Sequence, residues 1–157
     1  MKTFNNIRKI LIAVEDSQYA EKAAAYGYEL ARKLEAEIGL LHVDDIPATA
    51  PYTADPMLNE PPILMPEIMN VQEQASKKLL DRIAETYSSD TNVYTFHKIG
   101  NPKDEILQLA EEWDADLIVL GTHGRTGFDH FLAGSVAEKV VRKAKCPVLI
   151  IPNKEDA

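Results

Sequence analysis

Five short apolar runs, separated by longer amphipathic stretches, constrain the fold of this chain more than any other feature. The runs are KILIAV, IGLLHV, NVYTFHK, DLIVL and PVLII, which begin at Lys9, Ile38, Asn92, Asp116 and Pro147. Four of them lack in-out alternation, and unbroken Ile, Leu and Val runs are typical of strands that are covered on both faces of a parallel sheet. NVYTFHK alternates more, so we expect it to lie nearer an edge.

The stretches between the runs carry apolar residues at three-and-four spacing, which predicts four helices. The periodic apolar residues of these helices fall within Ala20–Leu34, Glu67–Tyr87, Ile106–Trp113 and Val136–Ala144. Asn101 and Pro102 mark the start of the third, as N-cap and first helical residue. The order β-α-β-α-β-α-β-α-β predicts a single α/β domain over residues 1–157, with one parallel sheet and helices on both faces.

One connection is unusual, because the segment from Asp44 to Pro66 contains six of the nine prolines. Proline removes a backbone donor and restricts its neighbours, so we expect a loop without regular structure. It is either a surface excursion or a lid over a ligand, since long loops in compact domains often carry function.

The segment from Gly121 to Ser135 holds four of the seven glycines and follows the fourth strand directly. In a doubly wound sheet of order 3-2-1-4-5, strands one and four are neighbours, and ligands bind beyond their carboxyl ends. Gly121 and Gly124 bracket a tight turn, and Gly134 and Ser135 open the last helix, where free N–H groups and the helix dipole favour an anion. With Arg125 they describe a phosphate cradle. The alternative is a glycine-rich loop that only lets the chain turn.

Charge and composition argue against nucleic acid and membranes as partners. The net charge is −8, from 25 acidic and 17 basic residues, which disfavours nonspecific binding to nucleic acid or an anionic membrane, although a local basic patch is compatible with it. We find no signal peptide and no apolar run of membrane-spanning length. The single cysteine, Cys146, excludes an internal disulfide and fits a reducing compartment. The cytoplasm is therefore the simplest location.

The combined motifs resemble the universal stress protein family. The likeness lies in ILIAVEDS, LLHV, the region from Gly100 to Gly127, GSVAEKVVRKAKCPVLIIP, and the spacing Gly121-x2-Gly124-x9-Gly134-Ser135, which is similar to that family's ATP-binding pattern. The resemblance implies a Rossmann-like fold of the adenine nucleotide alpha hydrolase type and usually a dimer.

The resemblance also implies roles for individual residues. Ala13 and Val43, at the ends of the first two strands, would flank the adenine. The phosphates and part of the ribose would be held by Gly121, Thr122, His123, Gly124, Arg125, Gly134, Ser135 and Val136. Glu15 stands where the family usually has a ribose-binding aspartate, and its extra methylene makes the ribose contact tilt or use water. Asp16 is an alternative ribose ligand.

Three functions follow as hypotheses. The first is an ATP-binding module, with Mg²⁺, that acts in stress adaptation or signalling. The second is a slow ATPase or phosphotransferase, for which Arg125 would supply the charge clamp, although no carboxylate or base is assured near the γ-phosphate. The third is a structural dimer with an empty pocket.

Two further expectations concern the sheet. His42 with Asp44 and Asp45 is either a metal site or, as we prefer, a strand histidine beside a solvated acidic turn. Pro147–Ile151 would be an apolar edge strand, whose unpaired backbone groups invite antiparallel pairing with a second copy. A homodimer through this strand is the prediction, and the family resemblance points to the same surface.

Overall fold

A computed structural model describes residues 6–15, 20–45, 65–121 and 136–152 of the chain. The elements within these ranges are β1 (Lys9–Ala13), α1 (Ala20–Leu34), β2 (Glu37–Asp45), α2 (Met65–Tyr87), β3 (Val93–Gly100), α3 (Pro102–Glu112), β4 (Leu117–Gly121), α4 (Val136–Lys143) and β5 (Val148–Ile151). These elements alternate between strand and helix as the sequence predicts.

The sheet has the order β3-β2-β1-β4-β5, and every neighbouring pair is parallel. Ile12 of β1 lies between Leu40 of β2 and Val119 of β4. The predicted order is therefore confirmed, as is the edge position of β3. The other edge of the sheet is β5.

The pleat of the strands divides the interior into two core clusters, one on each face of the sheet. On the first face, Ile10, Ile12, Ile38, Leu40 and Val119 pack against residues of α1 and α2, which include Ala23, Ala24, Leu79 and Ile83. On the second face, Leu11, Leu41, Ile118 and Leu120 pack against residues of α3 and α4, which include Ile106, Leu109, Ala137 and Val140. Both faces of the central strands are thus buried, as their unbroken apolar sequence requires.

Helices α1 and α3 end in the same type of C-terminal cap. Glu35 and Asp114 follow α1 and α3 with positive φ angles of 54° and 59°. The next N–H groups, of Ala36 and Ala115, reach back to the carbonyls of Ala31 and Ala110. This bond closes the last helical turn in the manner of a Schellman motif.

The start of α3 matches its predicted signal in part. Asn101 is the N-cap and Pro102 begins the helix, but the Asn101 side chain makes no capping hydrogen bond. The fixed φ of proline suits the first turn, and its missing N–H would lack an intrahelical partner there in any case.

The proline-rich segment is shorter than the predicted 44–66. β2 continues through Asp45 and α2 begins at Met65, so regular structure extends into both ends. Pro66 lies in the first helical turn, where proline is tolerated. The remainder, 46–64, lies outside the described residues, and the choice between excursion and lid stays a prediction.

Candidate functional site

The strand order brings the carboxyl ends of β1 and β4 side by side at the centre of the sheet. From β1 the chain crosses one way, through β2 to β3, and from β4 it crosses the other way to β5. This reversal is the topological switch point, where open α/β sheets bind ligands. Gly121 is the last residue of β4, and Glu15 follows β1 by two residues.

Three of the predicted ligand contacts share one face of the sheet. Ala13, Val43 and Val136 are partly buried and pack against the α3–α4 core cluster. Ala13 ends β1, Val43 lies near the end of β2, and Val136 is the first residue of α4. Half-buried Glu15 and Gly121 complete the described part of the site. We call Ala13, Glu15, Val43, Gly121 and Val136 the switch-point site.

Gly121 has room that the described protein atoms do not fill. A Cβ built on it would come no closer than 4.0 Å to the described atoms, at the Cβ of Ala23, which is an ordinary contact. Gly27 differs, because a Cβ there would overlap the Cδ1 atom of Ile12. Packing among the described residues therefore explains glycine at 27 but not at 121.

Two lysines lie close together where α3 and α4 begin, among acidic residues of the same helical turns. Lys103 is the second residue of α3, and Lys139 lies in the first turn of α4. The Lys103 ammonium, by hydrogen bonding and by charge repulsion, lowers the pKa of Lys139. The two ammonium groups thus form a close pair near the N-terminus of α4, and Asp104, Glu105 and Glu138 in the same turns offset their charge.

The rest of the predicted cradle lies outside the described residues. It comprises Thr122, His123, Gly124, Arg125, Gly134 and Ser135, and Asp16 is outside as well. The structure therefore brings together the strand-end half of the predicted site, while the loop half stays a prediction.

The expectation for the end of β2 was wrong. Asp44 was expected in a solvated acidic turn, but it is 5% exposed and points beneath α2. Its carboxylate accepts hydrogen bonds from Ser76 Oγ at 2.8 and 2.9 Å and from His97 Nε2 at 2.5 Å. His42 Nε2 lies 3.2 Å from the same carboxylate. We call His42, Asp44, Ser76 and His97 the Asp44 cluster.

The environment of Asp44 keeps it ionised. Burial alone raises the pKa of its carboxyl group, but hydrogen bonds from His97 and Ser76, together with the charges of His42 and His97, lower it below the ordinary value of 3.8. The metal alternative finds no support, since no group of three His, Cys, Asp or Glu residues in the described ranges is arranged to hold a metal ion. Sequence reasoning singled out His42 and Asp44 but missed Ser76 and His97, which lie 32 and 53 residues from Asp44.

Together, these features define a doubly wound α/β protein with a candidate anion and ligand site at its switch point. The family model described as the universal stress protein family matches residues 6–152. The chain therefore belongs to the universal stress protein family.

Individual relatives agree with this assignment. The universal stress protein MJ0531 of Methanocaldococcus jannaschii is 34% identical over 96% of this chain and 86% of its own length. YxiE of Bacillus subtilis, also a universal stress protein, is 31% identical over 91% of this chain and 97% of its own. The solved structure of UspA from Lactobacillus plantarum superposes with a TM-score of 0.77 at 27% identity, covering 92% of this chain and 97% of that one.

Among the helices of the described ranges, none combines the length and the apolar character needed to cross a bilayer.

Proposed function

We propose that this protein binds an adenine nucleotide, ATP in the first instance, at the switch-point site, and acts as a binding or signalling module in a stress response. The observation that carries the proposal is the adjacency of β1 and β4, which sets Ala13 and Glu15 beside the strand that leads into the glycine segment. Apolar Ala13 and Val43 offer a surface for the adenine, and Glu15 offers a carboxylate for the ribose hydroxyls.

The phosphates would lie toward α4. The first N–H groups of a helix lack internal partners and attract an anion. Thr122, His123, Gly124, Arg125, Gly134 and Ser135 would supply the remaining contacts. Mg²⁺ would accompany the nucleotide through the phosphate oxygens, which are the ligands it prefers.

Two proteins of the same fold support an adenine nucleotide as the ligand class. A universal stress protein was crystallised with cAMP, and the universal stress protein of Archaeoglobus fulgidus with dAMP. Their identities to this chain are 19% and 24%, with TM-scores of 0.64 and 0.61. They therefore indicate only which ligands a protein of this fold can bind. The proposal for this chain depends on its own residues.

The direct test is substitution within the glycine segment. We expect Gly124→Val to weaken ATP binding at least tenfold, because a branched side chain blocks close approach of a phosphate to the backbone. Calorimetry with ATP measures the effect, and circular dichroism checks the fold. Gly27 is not a usable control, because its Cβ would clash in the core. The control is instead Ile99→Val, a change at an exposed residue of the edge strand β3. Unchanged affinity in folded Gly124→Val would place the cradle elsewhere.

Hydrolysis is a separate question, which a single-turnover experiment with purified protein answers. Release of inorganic phosphate within a turnover would favour the slow ATPase, and conversion of ATP to ADP without free phosphate would favour a phosphotransferase. Stable bound ATP would favour the module. Native mass spectrometry of freshly purified protein identifies whatever ligand copurifies, and an empty pocket that accepts no nucleotide would favour the structural dimer. The cytoplasmic location and a homodimer through β5 belong to the same proposal.

A further inference from the structure

The ring of His42 lies between two oxygen atoms that act as hydrogen-bond acceptors. Its Nδ1 is 2.8 Å from the carbonyl oxygen of Val14, and its Nε2 is 3.2 Å from a carboxylate oxygen of Asp44. A neutral imidazole carries one N–H, so it can donate to one of these oxygens and must present a lone pair to the other. Both contacts are favourable only when both ring nitrogens carry protons.

In its contact with His42, Asp44 is a hydrogen-bond acceptor rather than a donor. The Asp44 carboxylate already accepts hydrogen bonds from Ser76 and His97, and Gln72 Nε2 approaches it at 3.4 Å. Donors of this kind stabilise the ionised form of a carboxyl group. An ionised Asp44 therefore faces Nε2 of the His42 ring as an acceptor, and the ring is only 3% exposed.

The Val14 carbonyl is the point at which β1 leaves the sheet. The paired register of β1 and β2 ends at Ala13 and Leu41. Val14 still donates its N–H to the carbonyl of Leu41 at 2.8 Å. The carbonyl oxygen of Val14 contacts Nδ1 of His42. The next residue is Glu15. His42 therefore fixes the peptide bond from which the ribose-binding position of the switch-point site extends.

We propose that His42 is a positioning residue for the nucleotide, which in its doubly protonated form ties the peptide bond between Val14 and Glu15 to the Asp44 carboxylate. The inference rests on the proposed function, because it makes Glu15 a nucleotide contact. A carboxylate is a stronger acceptor than a neutral carbonyl. When the ring loses one proton, the remaining one stays on Nε2 facing Asp44, and Nδ1 turns a lone pair toward the Val14 carbonyl. The Val14 carbonyl then loses this hydrogen bond, while the Val14 N–H keeps its bond to Leu41.

The groups that surround the His42 ring determine which variant can serve as a control for His42→Gln. From β3 comes His97, and from α2 come Ser76 and Gln72, with the Glu73–Lys77 ion pair farther out at the surface. The α1 residues in the core cluster on this face are apolar. His97 pairs in register with His42 but lies one strand farther from β1. It bonds the same carboxylate without standing between that carboxylate and Val14, which makes His97→Gln a matched control for His42→Gln.

The first experiment needs no ligand. Ring ¹⁵N spectra of the wild-type protein, recorded from about pH 5 to 9, report the protons on each nitrogen of His42. We expect both nitrogens to be protonated at the acidic end, the Nε2–H tautomer at the alkaline end, and a backbone amide resonance of Glu15 that follows the same transition. A Nδ1–H tautomer at the alkaline end, or a Glu15 amide that ignores the transition, would overturn the proposal.

The second experiment measures ATP and adenosine affinity by calorimetry across the same pH range. We expect wild-type affinity to fall about tenfold as His42 loses its proton, the size of effect that loss of a charged hydrogen bond produces. His42→Gln should bind weakly with little pH dependence of its own. His97→Gln alters one partner of Asp44 and can shift the midpoint, but it should keep a pH-dependent loss of affinity because the His42 contacts with Val14 and Asp44 remain. Comparing variants cancels the titration of the nucleotide.

The outcomes separate the two proposals. A wild-type protein that binds neither ligand refutes the proposed function, whereas the ring and Glu15 spectra still decide the role of His42. Identical pH profiles for wild type and folded His42→Gln refute the positioning role while leaving nucleotide binding intact. If His42→Gln does not fold, the wild-type spectra alone confirm or refute the positioning role.

Discussion

Asp44 is a buried charge that the protein stabilises with donors from three elements. His42 lies on the same strand, His97 on β3, and Ser76 on α2. A buried charge that loses its partners is costly, so the carboxylate and its donors depend on one another. The cluster thereby fastens α2 to the carboxyl ends of two strands.

Replacing Asp44 tests this dependence through pH. The pKa of Asp44 lies below 3.8 in the folded protein, so its ionised form stabilises the fold above about pH 4, and that stability is lost as the pH falls through the folded pKa. We expect Asp44→Asn to lower the free energy of unfolding at pH 7 by about 2–4 kcal/mol. The variant should also show a shallower loss of stability below pH 4 than the wild type. Urea unfolding at several pH values measures both effects.

Asp45 provides the control for this prediction, because it is the next residue of β2 and is exposed. Asp45→Asn should stay within about 0.5 kcal/mol of the wild type. Equal effects at 44 and 45 would contradict the role given to the buried carboxylate.

Glu15 carries a second prediction at the scale of one residue. We expect Glu15→Asp to keep or improve ATP affinity, because it restores the side chain that the family resemblance implies for the ribose contact. Calorimetry with ATP measures the change. A loss of tenfold or more, about 1.4 kcal/mol, would show that the longer side chain of Glu15 has a role of its own.

Single elements show what the sequence could and could not predict. The type and order of the strands and helices followed from periodicity, because central strands buried on both faces must be apolar throughout. The length of β2 did not follow, because Asp44 and Asp45 looked like a turn. Ser76 and His97, the donors that keep Asp44 within a buried strand, are far from Asp44 in the sequence. No local sequence pattern predicts their contact with it.

The candidate site likewise has positions that the sequence could predict and contacts that it could not. Ala13, Val43 and Gly121 could be placed because each ends or nearly ends a strand, and strand order then fixes which ends are neighbours. The contacts around them depend on side chains from separate elements. The Nδ1 contact of His42 with the Val14 carbonyl is an example, since it crosses from β2 to the end of β1.

The packing of α1 on β1 yields a prediction about a helix and a strand. A Cβ at position 27 would overlap the Cδ1 atom of Ile12, and Ile12 is fully buried. We expect Gly27→Ala to destabilise the protein by about 1–2 kcal/mol, because overpacking outweighs the better helix propensity of alanine. Ile12→Val removes the overlapping Cδ1 methyl group and leaves a Cγ atom, which in Ile12 lies 2.9 Å from the built Cβ, so it relieves the larger part of the overlap.

The double variant supplies the decisive comparison. Gly27→Ala with Ile12→Val should be more stable than the sum of the two single changes predicts, by about 1 kcal/mol. Urea unfolding of the four proteins gives this coupling energy. Simple additivity would mean that the helix shifts away from the strand instead of straining against Ile12.

At the scale of the whole molecule, the sheet has two edges of different character. β3 carries exposed Tyr94 and Ile99, whereas β5 is a four-residue apolar strand. On β5, Leu149 is 37% exposed, Ile151 is buried, and Val148 and Ile150 pack against the α3–α4 core cluster. Leu149 is therefore the better probe of an interface, because changing Ile150 would also disturb the core.

We expect a homodimer through β5 that Leu149→Lys converts to monomer. Across a two-fold axis, the same residues of the two copies face each other, so each new lysine would approach its counterpart in partly desolvated surroundings. Light scattering at micromolar concentration measures the mass. Ile99→Lys, an equivalent change at a 41% exposed residue of the opposite edge, should leave the dimer intact. A monomeric wild-type protein, or a folded dimeric Leu149→Lys, would contradict the prediction.

The pleat of β2 has a consequence for how this chain can change over time. His42 and Asp44 meet α2 and the end of β1 on one face, while Val43 between them packs on the other face. Inserting or deleting one residue within the strand would exchange the faces, sending a carboxylate toward the α3–α4 core cluster, where Val43 now packs, and a valine beneath α2. A single substitution in β2 therefore changes one face at a time, whereas a change of length disturbs both faces at once and is better tolerated outside the strand.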